Sequence, residues 1–533
     1  MVLLTVAYQL NWLDWMVIFA YLTAMALIGV VTFKYIKGIR DFFLGGRRFK
    51  KIFVMFHAFG AGTAGQDPIQ VAGAGYGRGF AGVWIQLHWL ICTPFYWLVA
   101  PIWRRMRYVT TGDFFRQRYG KSQEVAFAFY GLFFYAILNA LNLMAIKKIV
   151  LDIAGGPTPW AAVIVIASGI MFLVYGLLGG IIAAIINDLI QGIMIILLSF
   201  IVIPSGLSKL GGFSGLREKV GVEFFDLFAV QEFTIPFVIF MMLAALIGIV
   251  AHPHMMGTCG SAKSERDARW GLVYGNFLKR ICTVGWVLTG VIAAALYASS
   301  PLVDREHAFP ATVRDLLPHG VVGLFIACII AAAQSTLSAC MIASSGLFVN
   351  NCYRPYLRRG ASERHYLTAS RVVSAVVILG AIVVALASKS IITLFIFSMK
   401  IPPLFGIAWW FGVTWRKANS KGMWASFFAC AAAIVLTWPL EKPFKMAWRG
   451  DWGITQFLKS INFVKPIAGD VFIWREEWHF CAFLTLGILA MIIVSLLTKG
   501  KSEKELDDFY ALLNTPVGEE DKLIQAGVPI VMH

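Results

Sequence analysis

Apolar runs long enough for a ~30 Å hydrocarbon core recur along nearly the whole chain, separated by short polar segments. Their length predicts about thirteen helical spans rather than strands of a barrel. The first runs from Trp15 to Phe33. The second, Ile52 to Gly75, is interrupted by Gly60-Ala-Gly-Thr63 and by Asp67-Pro68. The third covers Phe80 to Trp103 and the fourth Val125 to Val150, and the fifth and sixth flank Gly179-Gly180. The seventh, Ile235 to His252, carries Pro236 near its start and His252-Pro-His254 near its end. Six more spans follow, the last ending at Lys499. Four parts result: a first helix with its basic loop (1–51), a core (52–422), two further helices with a Trp-rich segment between them (423–498), and a polar tail (499–533).

The interrupted spans are the informative ones. The second and seventh lie five spans apart, as two five-helix repeats require. Broken helices at matching positions of two halves point to a transporter with an inverted repeat, because unwound backbone is tolerated only where it lines a cavity.

Composition agrees with the pattern. The 533 residues are 59% hydrophobic and 14% charged, which makes the chain an integral membrane protein in a lipid bilayer. Its net charge of +17 sits in clusters between spans. These clusters follow the positive-inside rule, so the charge reads as topology, not as nucleic-acid binding. They place the N-terminus outside and the C-terminus in the cytoplasm, with the cell (inner) membrane as the expected location. None of the eight cysteines forms a CxxC pair. No soluble catalytic domain is expected, and Ser335 has no motif-supported base, so no enzyme activity is read.

The stretch Ile329-Ile-Ala-Ala-Ala-Gln-Ser-Thr-Leu-Ser-Ala-Cys-Met-Ile-Ala-Ser-Ser345 is apolar enough to span, yet small residues and hydroxyls fill its middle. Two readings fit: close helix packing, or a site for a hard cation that accepts neutral oxygens. Asp188 also needs explaining, since a carboxylate inside a span costs about 2.5–3.5 kcal/mol. It has either a partner and a task, or a place near the membrane surface.

Several motifs resemble the sodium:solute symporter family. Asp41-Phe-Phe-Leu-Gly-Gly-Arg47, Thr111-Gly-Asp-Phe-Phe-Arg-Gln-Arg-Tyr119 and Gly179-Gly-Ile-Ile-Ala-Ala-Ile-Ile-Asn-Asp-Leu-Ile-Gln191 match in order. Ala262-Lys-Ser-Glu-Arg-Asp-Ala-Arg269, Ala332-Ala-Gln-Ser-Thr336 and Gly412-Val-Thr-Trp-Arg-Lys417 with Lys421-Gly422 continue the series. Asn187 replaces the family's usual Thr. The resemblance implies an all-α polytopic membrane protein with a LeuT-type core over spans two to eleven and extra helices at both ends. It also implies symport of Na+ with a small organic solute by alternating access. The implied sodium ligands are the Ala332 carbonyl, the Ser335 and Thr336 hydroxyls, and the Gly60 and Thr63 carbonyls, with Asp188 near the ion's cytoplasmic exit.

The resemblance puts solute contacts just past the break, at Gln66 and Asp67. Asp67-Pro68 is also a helix-start signal, with Asp as cap and Pro at the first position. Gln86, His88, Asn139, Asn142, His252 and His254 supply further polar groups. Lys400, in Phe395-Ile-Phe-Ser-Met-Lys-Ile-Pro-Pro403, departs from the family pattern. An interior Lys400 pairs with Asp67 or Asp188, binds a carboxylate solute, or fills a cation site; otherwise it snorkels outward. Proton coupling through Asp67, Asp188 or a histidine is the rival mechanism, and a transporter-like membrane sensor a more distant one.

Overall fold

The computed structural model describes residues 10–33, 44–154, 160–228, 233–439, 448–468, 470–528 and 530. The basic residues Lys34, Lys37 and Arg40, the start of the Asp41 motif, residues 155–157 and the beginning of the Trp-rich segment lie outside them.

The chain is helical almost throughout. Its principal helices are α1 (Trp12–Phe33), α2 (Lys51–Gly62), α3 (Gln66–Arg78), α4 (Cys92–Met106), α5 (Lys121–Ala154), α6 (Trp160–Leu198), α7 (Ile235–Ile249) and α8 (His254–Ser261). They continue with α9 (Glu265–Leu296), α10 (Val321–Phe348), α11 (Glu363–Ala387), α12 (Ile391–Met399), α13 (Pro403–Thr414), α14 (Ser420–Leu436), α15 (Glu476–Leu497) and α16 (Glu503–Asn514). Among the described residues, eight helical segments are long and apolar enough to cross a membrane, or nine with the bent pair α7–α8.

Both expected interruptions are present. Between α2 and α3 the chain turns extended at Thr63 (φ −112°, ψ 102°). Between α7 and α8 the axis bends by 63° at a break ending in Pro253. Proline removes a ladder donor and glycine weakens the helix, so each break falls where the ladder is least costly to interrupt.

Two features differ from the expectation. The spans placed on either side of Gly179-Gly180 form one continuous helix, α6. The glycines cost about 1 kcal/mol each in helix propensity, and the strongly apolar flanks carry the helix through them. In addition, the segment before the last span folds as a three-stranded antiparallel sheet of β1 (Trp448–Arg449), β2 (Val464–Ala468) and β3 (Val471–Trp474), in the order β1-β3-β2.

Small residues set the packing around the first break. A side chain at Gly275 of α9 would meet the Met55 carbonyl at 2.4 Å, and one at Gly290 the Ala72 carbonyl at 2.1 Å. Thus α9 lies directly against both halves of the broken pair. Such close backbone approach is the usual way helices associate in lipid, where the hydrophobic effect offers little. On the far side, a Cβ at Gly65 would stand 3.2 Å from the Ile329 carbonyl of α10. The break is therefore held between α9 and α10.

Candidate functional site

Two groups of polar residues meet at this break. The first faces α10. The Thr336 hydroxyl donates to the Thr63 carbonyl at 3.4 Å. Ala332 lies one turn before Thr336 on the same helix. Asp188 of α6 reaches in so closely that a Cβ on Gly60 would stand 2.9 Å from its Cγ and Oδ1. Its other oxygen, Oδ2, is 2.6 Å from His57 Nδ1 of α2. The Ser335 hydroxyl faces Asp188 without closing a well-formed hydrogen bond. The Gly60 carbonyl accepts from the Thr63 amide at 3.0 Å, which leaves one lone pair free.

This cluster contains an unusual number of unsatisfied oxygens. Thr63 Oγ1, Asp188 Oδ1, Ser335 Oγ and Ser338 Oγ are all buried without a hydrogen-bond partner. Each such group costs about 1–3 kcal/mol, so a set of them concentrated at one place calls for something that satisfies them together. A sodium ion takes oxygens only and needs no formal charge from most of them, so the donor set fits it. His/Cys/Asp/Glu groupings suited to a transition metal are absent among the described residues.

The second group faces α9. Asp67 Oδ2 accepts from the Ala64 amide at 2.9 Å and lies 2.7 Å from Lys279 Nζ. Its Oδ1 accepts from Gln86 at 2.7 Å and Gln70 at 3.0 Å. Asp67 is thus not the cap expected from Asp67-Pro68: Gly65 holds that position, and Asp67 lies in the first turn of α3, bonds back to the chain before the helix, and lines the interior. A cavity opens here, lined among others by Gln66, Asp67, Gln86, His252, Lys279 and Arg280. Gln66 Oε1, Gln86 Oε1, His252 Nε2 and Arg280 Nε are buried and unpartnered. Arg280 donates to the Gln86 carbonyl at 2.9 Å.

His88 donates to the Trp84 carbonyl at 3.0 Å and packs on Trp89 and Phe395, both of which line the cavity. His254 bonds the Tyr135 hydroxyl at 2.8 Å. Asn142 accepts from the Gly65 amide at 2.9 Å and so fixes the start of α3. Asn139 is buried with neither amide atom paired.

Lys400 is placed differently from the expectation. It is interior, only 1% exposed, but it pairs with Glu476 at 3.1 Å and lies 4.4 Å from the Trp438 ring centroid, not with Asp67 or Asp188. It lines a separate cavity with Arg305, Trp438 and Glu476. The reason is local: α12 ends at Met399 and the chain turns at Ile401-Pro402, which directs Lys400 toward the start of α15.

Lys279, Arg280 and His57 were not singled out from the sequence. The available signal was two consecutive cations inside the long apolar helix that follows the Ala262–Arg269 motif. Such residues in a span need partners and mark a site.

Two broken helices whose breaks line one cavity, with buried oxygens suited to a monovalent cation beside them, are the features of a secondary transporter with a LeuT-type fold. The chain belongs to the sodium:solute symporter family, whose model matches residues 42–429. It is 25% identical over 515 residues to a sodium/proline symporter of Haemophilus influenzae, covering 92% of this chain and 95% of that protein. It is 23% identical over 546 residues to a sodium/glucose cotransporter of Vibrio parahaemolyticus, covering 91% and 98%. A solved Na+-coupled sialic acid symporter in a substrate-bound, outward-open state shares the fold, with a TM-score of 0.73 at 19% identity, over 92% of this chain and 99% of that one. The chain is thus a membrane-embedded, sodium-coupled symporter of a small organic solute.

Proposed function

We propose that this symporter carries a solute bearing a single carboxylate group, with sodium bound between α10 and the break. The observation that carries the solute class is the charge of the cavity. Lys279 and Arg280 line it against one carboxylate, Asp67, which leaves an excess of one positive charge. An uncompensated charge in a dry cavity is costly, and a monoanionic solute removes that cost. Asp67 already has four partners, whereas Arg280 Nε has none, so the guanidinium is the anchor and its planar fork suits a carboxylate. Gln66 and Gln86 supply further hydrogen bonds, and Trp89 and Phe395 an apolar wall.

On this reading sodium is held by the Ala332 carbonyl, the Ser335 and Thr336 hydroxyls and the Gly60 and Thr63 carbonyls, with Asp188 contributing negative charge beside them. Sodium draws the break against α10 and favours an outward-open state; solute and sodium together permit closure. No bond is made or broken in this cycle, and no catalytic role is assigned. The N-terminus lies outside and the C-terminus in the cytoplasm of the inner membrane.

A second reading, proton coupling at Asp188, is favoured by the bond from His57. Uptake into proteoliposomes decides both questions. Radiolabelled monocarboxylates and their neutral amides are offered under an inward sodium gradient, or under a proton gradient in choline. Carboxylate uptake with sodium, lost in Arg280→Gln, is the expected result. Amides carried equally well would overturn the carboxylate assignment, and uptake driven by protons without sodium would overturn sodium coupling.

A further inference from the structure

The two consecutive carbonyls at the end of α2 serve different partners. The Thr63 carbonyl accepts from Thr336 of α10, and the Gly62 carbonyl accepts from Lys279 Nζ of α9. Where a helix is interrupted, its last carbonyls lose their intrahelical amides, and in transporters such half-helix ends coordinate cations. Lys279 meets that description on two counts. Its ammonium contacts the freed Gly62 carbonyl and lies 2.7 Å from Asp67 Oδ2, on the first turn of the next half-helix. A backbone carbonyl and a carboxylate oxygen meeting at a helix break form an oxygen set that suits a monovalent cation.

We propose that Lys279 is a tethered cation: its ammonium permanently fills a cation position at the break that sodium would otherwise occupy. The inference rests on reading Thr63 and Thr336 as the neighbouring sodium site, because it divides the break into one position open to the ion and one filled by the protein. Charge at the filled position is never released to either side of the membrane, so it draws nothing from the sodium gradient. The ammonium still holds α2 and α3 to α9, as a bound ion would. A buried Lys–Asp pair with only a structural role would hold the helices in the same way but would leave no sodium position behind when the ammonium is removed.

Equilibrium binding of radioactive sodium to the purified protein tests this. Lys279→Gln removes the ammonium and leaves the Gly62 carbonyl and Asp67 in place. The expected result is one more sodium bound per protein than in the parent, and a return to the parent count in Lys279→Gln/Asp67→Asn. An unchanged count in Lys279→Gln that elutes as a folded monodisperse species would overturn the proposal.

If that variant cannot be purified, Asp67→Asn in the parent background decides. Its sodium count stays at the parent value if Lys279 fills the position, and a lost sodium would overturn the proposal. Ser335→Ala/Thr336→Ala separates the two readings. It removes one sodium from the parent and from Lys279→Gln alike if the α10 site is right. A parent that binds no sodium refutes the α10 site, while the gain in Lys279→Gln is still read on its own.

Discussion

Asp67 and Lys279, 212 positions apart, meet at 2.7 Å across the break between α2 and α3. With the Gln70 and Gln86 amides and the Ala64 backbone amide on the same carboxylate, this contact fixes the start of α3 against α9. Removing one member of a buried pair leaves the other uncompensated, which costs about 3–5 kcal/mol. Asp67→Asn is therefore expected to lower the thermal midpoint strongly. Asp67→Asn/Lys279→Gln should recover most of the loss, and a double variant as unstable as the single would contradict the pairing.

Gly60 leaves no room for a side chain. Alanine there would bring its Cβ to 2.9 Å from the Asp188 carboxyl, and overpacking of this kind costs about 1–3 kcal/mol. Gly60→Ala should displace Asp188 and weaken sodium binding about tenfold or more, as read from the sodium concentration that gives half-maximal stabilisation. Sodium dependence unchanged from the parent would place Asp188 outside the ion's surroundings.

Lys400 and Glu476 form their own unit against Trp438. Lys400→Met strands Glu476 and should destabilise by about 3 kcal/mol, with Lys400→Met/Glu476→Gln close to the parent. Sodium affinity should be the same in all three. A selective loss of sodium binding in Lys400→Met would return this residue to the ion site.

The end of α13 is tied by a buried arginine rather than by surface pairs. Arg118 donates to the Gly412, Trp415 and Arg416 carbonyls at 2.9–3.1 Å and so satisfies the end of α13. Hydrogen bonds from a charged group contribute about 1.5–3 kcal/mol each, and Arg118→Ala should lower the thermal midpoint markedly. Arg416 meets Glu503 and Asp507 of α16 in solvent. Exposed pairs of this kind add little, so Arg416→Ala should melt with the parent.

Much of this architecture was legible in the sequence because its cues are local. Gly60, Gly62 and Pro68 mark one break and Pro253 the other. The run from Ala332 to Thr336 carries its hydroxyls on the helix that faces the break. What was not legible depends on distant partners. Lys400 shows as a cation in an apolar run, but its Glu476 lies 76 positions away, and only the turn at Pro402 decides which way it points. Lys279 and Arg280 sit within one turn of each other, yet their meaning comes from Asp67 and Gln86, about 200 positions earlier. His57 likewise gains significance only from Asp188.

Thermal stability of the purified protein reads sodium binding between α10 and the α2–α3 break without a transport assay. The midpoint is measured in sodium, potassium and choline chlorides at equal ionic strength, for the parent and for Ser335→Ala/Thr336→Ala. A rise specific to sodium is expected in the parent and disappears in the double variant. Equal midpoints in all three salts for the parent, at saturating sodium, would contradict sodium binding there.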